Sequence, residues 1–141
     1  MIAYFDTSAL IKLVVAEAGA EQARLLWQQA GEIVVSRLAL VEAHAALTAA
    51  RRARRIADDG YVAAVRGIRQ CFERCTVVGI ADPLVDHAAE LAAEHALRAA
   101  DALHLATSLA VLEPDSVLVT CDKQLLQAAG RAGLATAPVA S

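Results

Sequence analysis

The sequence predicts an α/β fold: a three-layer sandwich with a short-stranded, mostly parallel central sheet flanked by helices. Three observations carry that expectation. Short β-branched runs alternate with longer alanine- and leucine-rich segments of helical period along the 141 residues, and strands separated by helices imply crossovers and a parallel sheet. The strand runs are apolar throughout rather than alternating, as in strands covered on both faces. Alanine supplies 34 residues, and its helix propensity and small bulk favour helices that pack closely.

Taken in order, the run over 2–5 is an apolar strand closed by Asp6, followed by helical patterns over 8–17 and 20–30. A strand over 32–35 leads into a helix over 37–54, and a further helix follows over 59–74. The β-branched run over 76–80 is the third strand. Asp82-Pro83 reads as an N-cap with proline at the first helical position, opening a helix over 83–96. A helix over 100–112 is separated by Pro114-Asp115 from the fourth strand, 117–120. The last helix, 123–132, ends between Gly130 and Gly133, and a fifth strand is placed over 134–137. No repeat, linker or shift of composition divides the chain, so 1–141 reads as a single domain with one core.

Composition excludes several classes. With 57% hydrophobic residues and a net charge of −3, the chain has too many aliphatics for intrinsic disorder. No stretch approaches the ~18–20 uncharged apolar residues of a membrane span. The segment Met1–Asp6 lacks a basic region and meets an acid after five residues, which argues against a signal peptide. Three cysteines, an odd number, fit a reducing cytosol better than a disulfide framework. A soluble, cytoplasmic protein is expected.

Four acids stand out. Ligands in open parallel sheets bind beyond the carboxyl ends of strands, where Asp6 and Asp122 fall; each also suits a helix cap or turn. Glu42 shares a three- and four-residue spacing with Leu38, Val41, Ala45 and Ala49, which predicts that it points with the core stripe. Asp101 opens a helix that is apolar nearly all round. A buried carboxylate is costly unless it is paired or metal-bound, and Arg98 for Asp101 or Arg37 for Glu42 would be ordinary partners. Were the four to converge, repulsion would couple their titrations, and a divalent cation would remove the conflict. An all-carboxylate set suits Mg2+ or Mn2+ rather than zinc.

The stretch Tyr4-Phe5-Asp6-Thr7-Ser8-Ala9-Leu10, the helix from Ser36 through Glu42, the segment Leu97–Ala106 and Val119-Thr120-Cys121-Asp122 together resemble a PIN-domain protein, and more narrowly the VapC-type toxin ribonucleases of prokaryotic toxin–antitoxin pairs. The resemblance runs from Ile2 to Ala137, in the family's order and spacing. It implies a PIN-like fold and a metal-dependent endoribonuclease, with Asp6, Glu42, Asp101 and Asp122 as the acidic quartet around Mg2+ or Mn2+. Asp6 and Asp101 would be direct ligands. Glu42 and Asp122 would act directly or through water, Glu42 helping to deprotonate the attacking water. Thr7, Ser8 and Thr120 match small polar positions that bind substrate or support the acids. RNA is then the substrate, a VapB-type antitoxin the partner, and a homodimer the expected assembly.

Other residues carry blander expectations. His104 is expected to pack in the core with a hydrogen-bonded partner, and Lys12 and Lys123 to be solvated. Cys71 and Cys75, sharing a helix face, are expected to be small hydrophobes, and Trp27 and Phe72 to pack. Segment 51–74 sets seven arginines against three acids, a local charge of +4 that leaves −7 elsewhere. It suits RNA, the antitoxin, a second subunit or plain solvent. Two other functional classes compete. A haloacid-dehalogenase-like phosphatase would use Asp6 as nucleophile but wants an acid where Ser8 stands. A non-catalytic α/β binding module would need the acids only as caps and core ion pairs.

Overall fold

In the computed structural model, which describes residues 1–111 and 113–141, five runs form one sheet. They are β1 (Ile2–Phe5), β2 (Glu32–Ser36), β3 (Thr76–Val78), β4 (Val117–Thr120) and β5 (Thr136–Pro138). Every pairing is parallel, in the order β3-β2-β1-β4-β5. The pleat sends alternate side chains to opposite faces: Ala3 and Phe5 enter one core and Tyr4 the other. Helices α1 (Thr7–Val14), α2 (Ala20–Gln29), α3 (Leu38–Arg52) and α4 (Asp58–Glu73) cover the first face. The second is covered by α5 (Asp82–His95), α6 (Ala99–Val111) and α7 (Lys123–Arg131). The expected three-layer sandwich is what forms, with the central strands buried and the edges β3 and β5 half-exposed.

Small residues set the spacing of the layers. Gly67 lets α4 close onto α1, since a Cβ there would stand 2.7 Å from Val14 Cγ1. Trp27 packs its edge against Phe5, with ring centroids 5.5 Å apart, and Phe72 lies against the same core. Among the described residues no helix is long and apolar enough to cross a membrane.

Several expectations need correction. The stripe on α3 is Ala39, Ala43 and Leu47, not Leu38, Val41, Ala45 and Ala49; Val41 is 64% exposed. Alanine on every side of this helix leaves little contrast from which to read a face. Glu42 is half-buried beside the stripe. Ala81, not Asp82, caps α5, because the amides of Leu84 and Val85 close on the Ala81 carbonyl. Cys75 lies beyond the end of α4 and shares no helix face with Cys71. Lys12 is buried rather than solvated and reaches Glu17 at 3.1 Å. The fifth strand lies two residues later than expected at its start, and the expected end of the helix over 100–112 falls outside the described residues.

One feature of the topology places the chemistry. From β1 the chain builds outward through β2 and β3 on one side, and β4 and β5 occupy the other. The order therefore reverses between β1 and β4, and a crevice opens at such a switch point beyond the carboxyl ends of the strands.

Candidate active site

Asp6 follows β1 and Asp122 follows β4, so both stand at the switch point. Each caps a helix. The Oδ1 of Asp6 accepts from the Ala9 amide at 3.0 Å and the Ser8 hydroxyl at 2.7 Å, while its Oδ2 accepts from Thr120 at 2.5 Å. The Oδ1 of Asp122 accepts from the amides of Gln124 and Leu125 at 2.8 and 3.1 Å, which leaves Oδ2 facing outward. Thr120 joins the two acids, donating to Asp6 and accepting from the Asp122 amide at 3.0 Å. Ser8, which donates to Asp6, ties it to the same loop by accepting from the Cys121 amide at 3.0 Å. The helix N-termini favour the negative charges they hold.

Asp101 enters from the first turn of α6 and is 8% exposed. Arg98 donates to its Oδ2 through Nε and Nη2, both at 3.3 Å, and the same Nη2 donates to Asp122 Oδ2 at 3.4 Å. One guanidinium thus holds two carboxylates from two elements. Glu42 stands across from them on α3, where its Oε1 accepts from Thr7 at 2.7 Å and from His104 Nε2 at 2.6 Å. The other ring nitrogen of His104 lies 2.7 Å from the Tyr4 hydroxyl.

Protonation follows from these neighbours. Burial first, then the charge of Asp6, holds the Tyr4 phenol well above its ordinary range, so it stays protonated beside His104 Nδ1. Nε2–H is the donor to Glu42, because an ionised carboxylate can only accept. Burial pushes Glu42 up, but the hydrogen bonds of His104 and Thr7 outweigh it and hold the carboxyl below its ordinary value. Asp6 is pushed up by burial against the opposing pull of His104, Thr120 and Ser8. Asp101 is pushed up by burial and then by Asp122, with Arg98 opposing. Two acids are therefore held uncomfortably and one is held ionised.

The four acids line one rim from both helical layers. Asp101 and Asp122 meet on one guanidinium, Asp6 is tied to Asp122 through Thr120, and Glu42 is tied through Thr7 and His104 rather than directly. Among the described residues no three His, Cys, Asp or Glu side chains gather around one point. The chemistry of the set still fits a hard divalent cation: every donor is a carboxylate oxygen, and Asp101 is raised by burial and by Asp122 even though Arg98 opposes both. The cysteines are no competing site. Cys75 is pushed up to about 12 by burial and then by Cys71, so it is a protonated thiol, and among the described residues no further ligand joins the two.

A PIN-domain family model matches residues 3–131. This chain belongs to the PIN-domain family. A Mycobacterium tuberculosis (strain CDC 1551 / Oshkosh) protein named Ribonuclease VapC45 is 38% identical over 137 residues, 97% of this chain and 95% of its own, so the chain is a VapC-type PIN domain. Two solved structures share the fold. VapC20 of Mycobacterium tuberculosis, a Sarcin-Ricin loop cleaving toxin, is 20% identical with a TM-score of 0.68, over 94% of this chain and 95% of its own. A toxin–antitoxin complex from Klebsiella pneumoniae matches at 24% identity and a TM-score of 0.60, over 85% of this chain and 86% of that one.

Within this PIN domain the residues that tie the acids together were the least visible in sequence. His104 is buried and hydrogen-bonded as expected, at 2% exposure, yet its partner is Glu42. Arg37 makes no pair with Glu42 among the described residues. Arg98 pairs with Asp101 as its three-residue spacing allows, but the link to Asp122 crosses 24 residues. Tyr4 and His104 lie 100 residues apart.

Proposed function

We propose that this chain is a metal-dependent endoribonuclease, the toxin of a toxin–antitoxin pair, hydrolysing RNA phosphodiester bonds at the acidic rim. The observation that carries the reading is the pair of carboxylates, Asp101 and Asp122, that share one cation at the switch point of the sheet. Mg2+ or Mn2+, when bound, supplies an activated water and neutralises phosphate charge. Asp6 and Asp101 would hold the metal, with Asp122 and Glu42 contributing directly or through water. Glu42, kept ionised by His104 and Thr7, accepts the proton of the attacking water. Ser8 and Thr120 fix the Asp6 carboxylate, and Thr7 fixes Glu42.

The Klebsiella toxin–antitoxin complex supports an antitoxin as partner, and the VapC-type likeness makes a VapB-type antitoxin the expected one. A homodimer, a cytoplasmic site of action and a single working domain over 1–141 complete the proposal. The rival reading, a non-catalytic module, draws on the fact that Asp6 and Asp122 each spend one oxygen on a helix cap.

The test is RNA cleavage by the purified protein in Mg2+, Mn2+ or EDTA, wild type beside Asp101→Asn. Cleavage is expected with metal and lost in EDTA. The variant should fall by more than the roughly 10- to 100-fold typical of residues that only support a metal ligand. Cleavage persisting in EDTA, or in the variant, overturns the mechanism.

A further inference from the structure

Arg98 pairs with two of the four acids yet has no part in the metal chemistry assigned to them. It lies just before α6, and its carbonyl accepts the Ala102 amide, so the backbone beneath it is fixed by the helix it precedes. Its side chain is 77% exposed, while the Asp101 side chain it covers is 12% exposed and that of Asp122 is 24% exposed. The acids are inside and the guanidinium lies over them. All three donor distances, 3.3, 3.3 and 3.4 Å, are long for charge-assisted hydrogen bonds. Exposed ion pairs of this kind contribute little and exchange readily. Among the described residues no other Lys or Arg pairs with any of the four acids.

Arg98 occupies Asp101 Oδ2 and Asp122 Oδ2, and a divalent cation held by these carboxylates would compete with it for their negative charge. Both cations cannot hold them at full strength. A guanidinium displaced from them stays tethered three residues from Asp101, at the mouth of the site, and its planar fork matches the oxygens of a phosphate. We propose that Arg98 is an exchangeable counter-cation: it holds Asp101 and Asp122 together until a divalent cation takes their oxygens, and its freed guanidinium then binds a phosphate of the RNA. The proposal rests on the metal-dependent reading above. It assigns Arg98 to positioning and substrate binding, not to the chemical step.

The decisive measurement is Mn2+ binding to the full RNA-free protein, by titration calorimetry at a pH well above the carboxylate range. Wild type, Arg98→Gln and Asp101→Asn are compared. Removing the resident competitor should tighten Mn2+ by about three- to tenfold, the scale of two exposed ion pairs lost together, whereas Asp101→Asn should weaken it strongly. In parallel, binding of a labelled single-stranded oligoribonucleotide is followed by fluorescence anisotropy with Ca2+ in place of Mn2+, the RNA being checked as intact by gel. Arg98→Gln should bind it more weakly, with a salt slope shallower by about 0.7, one phosphate contact on a single strand. Unchanged or weaker Mn2+ binding in Arg98→Gln, or an unaltered salt slope, overturns the exchange. Mn2+ binding that survives Asp101→Asn instead overturns the metal site itself.

Discussion

Glu42 is the acid whose surroundings do most to set its charge. A half-buried carboxylate should titrate high, yet it is held low because Thr7 and His104 both donate to one of its oxygens. Hydrogen bonds to the charged form favour that form, so removing a donor raises the pKa. Thr7→Val deletes the 2.7 Å donor and nothing larger. If ionised Glu42 takes the proton of the attacking water, the acid limb of the kcat/KM profile moves to higher pH in this variant. The expected displacement is about half to one unit, the equivalent of one net hydrogen bond. A pH–rate series on wild type and variant measures it, and an acid limb that stays in place removes Glu42 from the proton-handling role.

At the scale of elements, a line of three side chains fastens the two helical layers across the end of the sheet. The Tyr4 hydroxyl of β1 is hydrogen-bonded to His104 Nδ1 of α6, and His104 Nε2 donates to Glu42 of α3. Tyr4→Phe removes one bond and should cost about 1 kcal/mol. His104→Ala strands a buried phenol, loses a donor to a carboxylate and leaves a void, and should cost about 2–4 kcal/mol. Because both single variants break the same Tyr4–His104 bond, the double variant should cost less than the sum of the singles. Urea denaturation of the three variants gives the comparison, and strict additivity would show that the line is not a unit. The strands and the existence of every helix were legible because apolar runs and caps are local signals. Asp6 and Asp122 were legible for the same reason, Asp6 following its short strand directly and Asp122 after one residue. The face of α3 was not, since alanine marks buried and exposed positions alike. The Tyr4–His104–Glu42 line and the second partner of Arg98 were also hidden, because long-range pairing leaves no trace in spacing.

At the scale of the whole molecule, a small net charge of −3 conceals acids gathered at one rim and arginines gathered in 51–74, and the rim should govern how stability responds to pH. Asp6 and Asp101 both titrate above their ordinary values in the folded chain. Between the unfolded and the folded pKa, the native state therefore binds more protons than the unfolded one. Stability falls as pH rises through that window, and the loss is complete above the folded pKa. Glu42, held low, contributes the opposite sign, but only below its ordinary value. In EDTA, then, the Tm of the wild type should decline as pH rises above the ordinary carboxylate range more than that of Asp101→Asn, in which the repulsion from Asp122 is gone. Mn2+ should invert the trend, because the cation binds only deprotonated carboxylates. At 100 times its Kd it adds about 2.7 kcal/mol, roughly 5–10 °C for a chain of this size, growing as the acids ionise. Thermal melts across pH, with and without Mn2+, should thus diverge for the wild type and coincide for Asp101→Asn. Parallel wild-type curves in EDTA and Mn2+ would mean that the acids at the switch point are caps and no more.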